Sequence, residues 1–366
     1  MKVGFIIYGS LETVSGGYLY DRKLVKYLRE QGDIVDVISL PWRNYAAHLT
    51  DNFRFRLRGS PVIATMHSQN NNAFDILIQD ELNHPSLIAA NAGKHPYPVV
   101  SLVHHLRCSE LRPAWQNLFY RWVESKYLQR VDGFIFNSET TKSVVRGLLS
   151  DGKPSVVAYP PTDRFGEAIS ESEIIERANS DELRILFLGN VIQRKGLHTL
   201  LEAVKRQTSK VKVDVIGGLV SEPKYVRAIQ EIIAINNLST FVFLHGSHDN
   251  EPLAEKFKPA HVLVVPSSYE GFGIVYLEGM GFGLPAIGTT AGAAGEIIRD
   301  GVDGFLIEPE NAGELAARLK VLNEKREILI QMSLAARARY LRQPTWEQTA
   351  GKIREFLMKQ IREFTV

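Results

Sequence analysis

The stretch Val262–Glu278, reading VLVVPSSYEGFGIVYLE, leaves this chain fewer folding options than any other. Val262-Leu263-Val264-Val265 is a continuous apolar run, too short for an amphipathic helix and suited to a strand buried on both faces. Pro266 and two serines stop it, Glu270-Gly271-Phe272-Gly273 forms a tight turn, and Ile274 to Met280 reads as the first turns of a helix. A strand passing through a glycine-bearing loop into a helix start offers free backbone N–H groups to an anion, and the glycines let a phosphate approach closely. Glu270 lies in the loop and Glu278 two helical turns further on. A carboxylate in that helix would repel phosphate, but it accepts hydrogen bonds from hydroxyls, as on a ribose. An anion cradle between two hydroxyl-binding carboxylates suits a sugar joined to a nucleoside diphosphate.

At 366 residues the chain is long for one domain and comfortable for two, and its 45% hydrophobic content supports a sizeable core. A net charge of +2 makes no case for nucleic acid, so an electropositive site must come from local clustering. The single cysteine, Cys108, excludes an internal disulfide and fits a reducing compartment. Met1-Lys2 leads straight into the apolar run VGFIIYG with no signal-peptide cleavage pattern, and no run approaches the length of a membrane span. These features point to a cytoplasmic protein, with peripheral contact at the inner face of a membrane left open.

Glu270-GFGIVYL-Glu278, with its apolar strand before and small-residue run after, resembles the Glu-x7-Glu signature of retaining GT-B glycosyltransferases of family 4 (glycosyl transferases group 1). The resemblance implies an α/β chain with two Rossmann-like domains facing across a cleft and a C-terminal helix crossing back to the first domain. The expected divisions are 1–164 for the acceptor-binding domain, 165–182 for a linker, 183–342 for the nucleotide-sugar domain and 343–366 for the returning helix.

In chain order, Lys2–Tyr8 reads as a buried strand, Tyr18–Glu30 as a helix and Ile34–Leu40 as the next strand. The intervening loop is not GxGxxG, which disfavours a dinucleotide dehydrogenase. Ser15-Gly16-Gly17 still places bare backbone at a helix N-terminus; the resemblance puts this glycine pair near the donor phosphates and acceptor, and turn geometry alone is the other reading. Pro61–His67, Phe74–Gln79 and Pro98–Val103 add strands, the last ending at His104-His105. The resemblance aims His104 at the donor sugar, with His105 as the alternative. Leu111–Arg130 interleaves aromatic and basic residues and has two readings. It is either an interfacial helix near an acidic lipid or polysaccharide acceptor, or, as favoured here, a helix packed on the sheet by its aromatic stripe. Val131–Asn137 is a further strand, Ser138 caps a helix, and Pro160-Pro161 ends the half.

Thr162–Glu182 is polar and acidic without a sustained apolar period, which reads as linker. Arg184–Gly189 then starts a second sheet, followed by a loop carrying Arg194 and Lys195 ahead of a helix. Cations at a strand-to-helix junction can neutralise a diphosphate leaving group. Family members usually carry an arginine after the strand glycine, where this chain has Asn190, and a lysine where Lys195 stands. The strands ending at Gly217 and at His245-Gly246 would hold the nucleobase by their backbone, as the resemblance implies. The small-residue loop Thr289–Glu296 would support the phosphate cradle.

The activity so implied is hexosyl transfer, with retention, from a nucleotide-diphosphate sugar to an acceptor hydroxyl in polysaccharide or glycoconjugate assembly. UDP-glucose heads the donors, ahead of GDP-mannose and UDP-N-acetylglucosamine. Glu270 would contact the sugar, with Gly271, Phe272, Gly273 and Ile274 at the phosphates and Glu278 on the ribose. No cofactor is expected beyond the donor, and no metal, because no Asp-x-Asp pair follows a strand. The acceptor partner is a sugar, a lipid-linked chain or another glycoconjugate, its site in loops such as Trp42–Arg58. A non-catalytic nucleotide-sugar-binding protein and another GT-B enzyme (epimerase or phosphorylase) are the alternatives.

Overall fold

The computed structural model describes residues 1–13, 15–58, 74–149, 152–161, 163–166, 168–207, 210–248 and 250–364. These divide into two compact units, one of Met1–Pro161 with Pro344–Val366 and one of Thr162–Gln343. The strand expected at Pro61–His67 falls outside the described residues.

The first unit is built on parallel strands β1 (Lys2–Tyr8), β2 (Ile34–Leu40), β3 (Ile76–Asp80), β4 (Val99–Val103), β5 (Gly133–Phe136) and β6 (Ser155–Val157). Among the described residues they stand in the order β2-β1-β3-β4-β5-β6. The near-continuous apolar runs of β1, β3 and β4 follow from a sheet covered on both faces. One face packs under helix Gly16–Glu30, whose Leu24, Val25 and Leu28 point inward, and under terminal helix Trp346–Phe364 through Trp346, Ala350, Ile353 and Leu357. The terminal helix therefore belongs to the first unit, and Arg354 clamps it there with Nε 2.7 Å from Asp33 Oδ2. The other face packs Tyr97, Leu106, Tyr127 and Leu128 against Leu77, Val99, Phe134 and Phe136.

The second unit repeats the plan with β7 (Leu183–Leu188), β8 (Val211–Ile216), β9 (Val242–Gly246), β10 (Val262–Val264), β11 (Ala286–Thr289) and β12 (Gly304–Ile307). Their order is β12-β11-β10-β7-β8-β9, parallel throughout. In such a sheet ligands bind beyond the carboxyl ends of the strands where the winding reverses. Here that point lies between β7 and β10. In the first sheet the reversal falls between β1 and β3.

Two expectations are corrected. Residues 165–182 are not bare linker. They contain helix Glu171–Ala178, opened by a Ser170–Glu173 capping box and anchored by buried Ile174 and Ala178. The helix is short and carries few apolar residues, which hid it from a reading by periodicity. Trp42–Arg58 is not a loop either, since Tyr45–Arg58 is helical.

Candidate active site

The carboxyl ends of β7 and β10 bring together the two motifs that sequence placed about seventy-five positions apart. After β7, Gly189 and Asn190 turn the chain, and a short 3-10 turn at Gln193–Lys195 presents Arg194 and Lys195. After β10, Val265–Ser268 leads to Glu270. Lys195 Nζ donates to Glu270 Oε1, Ser267 Oγ donates to the same oxygen at 2.6 Å, and Arg194 Nη1 stands 3.9 Å from Oε2. Arg194 Nη1 also donates to the Tyr269 carbonyl at 2.7 Å. Burial alone would raise the Glu270 carboxyl, but Lys195, Arg194 and the Ser267 hydroxyl outweigh it and hold the group down to about 2. For Lys195 burial is the larger effect, so its pKa lies below the ordinary lysine value despite the pull of Glu270. Glu270 is thus an anion at neutral pH, and the trio of Glu270, Lys195 and Arg194 carries a net positive charge.

Gly273 follows immediately as the residue capping helix Ile274–Gly281. Its φ of +91° and the Tyr276 ring, 2.6 Å from where a Cβ would sit, admit only glycine. Among the described residues no side chain caps this helix; Tyr276 N donates to the Gly273 carbonyl at 3.0 Å, and the N–H groups of Ile274 and Val275 are left to an anion, as the strand-loop-helix pattern predicts. Tyr276 Oη donates to the Val265 carbonyl at 2.7 Å and pins the helix start to the strand end. The small-residue loop lies against the same turn: Ala293 N donates to the Glu270 carbonyl at 2.8 Å. Glu296 sits inside the short helix Ala294–Ile297.

Glu278, on the fifth residue of the helix, is 2% exposed. Its Oε1 accepts from Arg164 Nη1 at 2.9 Å. Burial raises the Glu278 carboxyl, and Arg164 offsets part of that rise. Arg164 was not singled out by sequence reasoning, because it stands in the stretch read as linker. Asn190, at the usual arginine position, accepts from Gly218 N through Oδ1 at 3.1 Å. It ties the loop after β7 to the loop after β8 and supplies no cation. At Gly217 a Cβ would lie 1.9 Å from the Gly189 carbonyl oxygen, so the same two loops touch backbone to backbone. His245, next to last in β9, is turned to Asp214 through Nε2. A hollow of about 660 Å³ lined by Gln193, Glu222, Tyr225 and Arg227 adjoins this region but takes in none of Lys195, Glu270 or Glu278.

The first unit gathers a second set of groups at its own reversal point. Gly16 and Gly17 open helix Gly16–Glu30 behind Ser15, whose hydroxyl accepts from Tyr18 N at 3.3 Å. A Cβ on Gly17 would meet His104 Cδ2 at 3.3 Å. His104 Nε2 lies 3.1 Å from Asp21 Oδ1, whereas His105 turns away to Glu110, also at 3.1 Å. The two histidines are thereby told apart, and His104 is the one beside the glycine pair. Burial would lower the His104 pKa, but the hydrogen bond and charge of Asp21, with Asp80 and Glu81 behind, raise it to about 8. Asp21 is fully buried and its Oδ2 has no hydrogen-bond partner among the described residues. A carboxylate on the Leu24-Leu28 face of an otherwise apolar helix stripe was the sequence signal that could have found it.

Asp21, Asp80 and His104 lie close enough to share a cation, as do Glu81, His84 and Glu124. In the second group burial holds the Glu81 carboxyl at about 8 and Glu124 at about 7, and drives the His84 imidazole down to about 4.

A twin pair of Rossmann-like sheets, with a cation-bearing crevice and an open helix start at the reversal of the second, defines the GT-B class. Residues 169–339 match the family "Glycosyl transferases group 1" and residues 20–164 match "Glycosyltransferase Family 4". The chain belongs to family 4 of the GT-B glycosyltransferases. It is 34% identical over 143 residues to an uncharacterized glycosyltransferase of Methanocaldococcus jannaschii, covering 39% of each chain. It is 31% identical over 247 residues to a D-inositol 3-phosphate glycosyltransferase of Geodermatophilus obscurus, covering 63% of this chain and 53% of that one. The matched part spans 39%, 65% and 53% of the length of three such curated relatives. By structure it is similar to sucrose-phosphate synthase from Thermosynechococcus elongatus, with a TM-score of 0.81, 19% identity and 99% of both chains covered. Anabaena HepE in complex with UDP-glucose superposes with a TM-score of 0.77 and 20% identity over 98% of this chain and 100% of that one.

Proposed function

We propose that this protein is a retaining glycosyltransferase that moves a hexosyl group from a nucleotide-diphosphate sugar to an acceptor hydroxyl without a bound metal. UDP-glucose is the donor of first choice. The observation that carries the reading is the buried Lys195–Glu270 pair, with Arg194 beside it, next to the uncapped start of helix Ile274–Gly281. This cluster offers net positive charge and free N–H groups where a diphosphate can bind, the arrangement that stabilises charge on a departing phosphate.

In this reading Glu270 does two things. It holds Lys195 in place, and it takes hydroxyls of the donor sugar while stabilising positive charge at the anomeric carbon. Arg164 engages one oxygen of Glu278, and Oε2, which accepts no hydrogen bond from the described residues, serves the ribose hydroxyls. His104, oriented by Asp21, takes the sugar's primary hydroxyl, with Gly16-Gly17 behind it. Gly217 and His245 border the base. The bond from anomeric carbon to phosphate oxygen breaks, the acceptor oxygen bonds to the same face, and its proton passes to the leaving phosphate. The structural likeness to Anabaena HepE, solved in complex with UDP-glucose, supports a uridine donor. The acceptor is a sugar, a lipid-linked chain or another glycoconjugate, in the setting of polysaccharide assembly.

The test is a thermal-shift screen against UDP, GDP, ADP and their sugar conjugates, followed by NMR of donor and product. A ligand at a hundred times its Kd stabilises by about 2.7 kcal/mol. One nucleotide series should shift the wild type, Glu278→Ala should abolish the shift, and the product should keep the donor's anomeric configuration. An unshifted protein, or an inverted product, refutes the proposal.

A further inference from the structure

Helix Ala114–Leu128 packs with both its tryptophans and Phe119 turned away from the core. The sequence reading set its aromatic stripe against the sheet; in the structure Val123, Tyr127 and Leu128 face inward instead. Trp115 is 70% exposed, Leu118 67%, Phe119 42% and Trp122 59%. These positions fall at i, i+3, i+4 and i+7, one continuous stripe along the helix, and Leu111, 61% exposed, extends it before the first turn. Scattered apolar residues on a surface need no explanation, but a contiguous stripe with two tryptophans marks an interaction face.

The charges beside the stripe decide what covers it. Arg121 and Lys126 are exposed, whereas Arg112, at the head of the helix, is half-buried and paired with Glu110. Glu124, the only acid of the helix, is buried beneath Arg107 and Cys108, with the Arg107 N–H 2.6 Å from its Oε1. The outer face is therefore apolar and cationic with no exposed acid of its own. A hollow of about 660 Å³ opens beside the stripe, lined by Arg112, Asn117, Leu118, Arg121 and Gly147. The Arg121 guanidinium at its wall suits a phosphate group. A second copy of the same face would set these cations against each other, because a two-fold contact brings identical patches together. Tryptophan rings favour the boundary between hydrocarbon and water, and a basic rim favours anionic headgroups.

We propose that the outer face of helix Ala114–Leu128 is a membrane-docking surface that lies on an anionic phospholipid bilayer. Trp115, Leu118, Phe119 and Trp122 enter the headgroup–acyl boundary, and Arg121 and Lys126 engage lipid phosphates. The proposal goes beyond the transfer reaction and does not depend on it: a bilayer could hold this chain near a lipid-linked acceptor, but docking itself requires no catalysis.

The test uses the full chain with vesicles of phosphatidylcholine, with and without phosphatidylglycerol, read by co-sedimentation and tryptophan fluorescence. Phosphatidylglycerol vesicles should bind the protein, blue-shift its emission and release it at high salt. Trp115→Ser with Trp122→Ser should reduce partitioning at least about tenfold, since two large apolar anchors are lost. Arg121→Glu with Lys126→Glu should weaken it by about fivefold or more per basic residue. Both variants change exposed positions and should keep the wild-type melting temperature and its response to nucleotide. A failed transferase reading would appear in that nucleotide response and leave vesicle binding untouched.

Equal binding to both vesicle types, no binding at low salt, or variants that partition like wild type would overturn the proposal. So would a wild-type dimer that the double tryptophan variant converts to monomer, which would assign the face to a second copy. Binding of the stripe to a soluble polysaccharide but not to vesicles would assign it to an acceptor instead.

Discussion

Lys195→Met tests the electrostatic core of the site. Methionine keeps the length of the side chain and removes the ammonium. In the wild type, Glu270 titrates at about 2 against an ordinary value of 4.5. That difference amounts to about 3 kcal/mol in favour of the folded state, offset in part by the hydration that buried Lys195 gives up. Because the folded carboxyl titrates below the unfolded one, the contribution is complete above pH 4.5 and disappears as pH falls toward 2. In Lys195→Met the burial of Glu270 is opposed only by Arg194 at 3.9 Å and the Ser267 hydroxyl, so its pKa rises. Breaking a buried pair from one side costs about 3–5 kcal/mol, and the remaining partners bring the expectation to about 2–3 kcal/mol near neutral pH.

Urea melts from neutral to acid pH read this directly, with Glu270→Gln and the double variant completing a cycle. The acid-dependent loss of stability should shrink in Lys195→Met, and the double variant should be more stable than the two single effects predict by at least about 1 kcal/mol. Strict additivity, with the acid profile unchanged, would show that Lys195 and Glu270 do not form the pair, and the site argument would fail with it. Transfer activity of Lys195→Met should drop about 10²–10³-fold if its charge meets the leaving phosphate.

Asp21→Asn should lower the His104 pKa from about 8, because burial is then opposed only by the more distant charges of Asp80 and Glu81. NMR titration of the ring reads the shift. The raised His104 pKa contributes stability that is complete below pH 6.5 and lost as pH rises through 8, so the variant should lose stability at low rather than high pH. An unmoved His104 titration would refute the dyad. Arg164→Ala strands the Glu278 carboxyl in a buried place and should cost about 1–3 kcal/mol at neutral pH, less in mild acid where Glu278 can take a proton. Thermal melts at two pH values check it, and an equal loss at both would refute the buried pairing.

Much of the fold was legible because its signals are local. The strands β1, β4, β7 and β10 are short apolar runs, and Ser138 caps a helix where a hydroxyl precedes an apolar period. The Glu270–Glu278 turn carries its own glycine geometry. What stayed hidden was what depends on distant partners. Helix Glu171–Ala178 is short and polar, and it is held by packing Ile174 against Gly283 far along the chain. Asp21, Asp80 and Arg164 are ordinary residues by type, and only the fold decides that one is buried beside a histidine and another beside a glutamate. Helix Ala114–Leu128 shows the limit from the other side. Its aromatic stripe was visible, but periodicity tells that a helix has an apolar face and cannot tell which face the sheet receives.

The sequence by itself determined the short apolar strands, the strand-loop-helix cradle after β10 and the residue types at its rim, because each is encoded within a few residues of backbone preference and polarity; the two doubly wound sheets were what its family resemblance implied. Only the tertiary structure decided that Lys195 and Arg194 charge-balance Glu270, that His104 and not His105 faces Asp21, that Arg164 holds Glu278, and that Trp115 and Trp122 point outward. Those are facts of burial and of pairing between groups remote in sequence, and desolvation and Coulomb forces act on distance in space, which the order of residues alone does not specify.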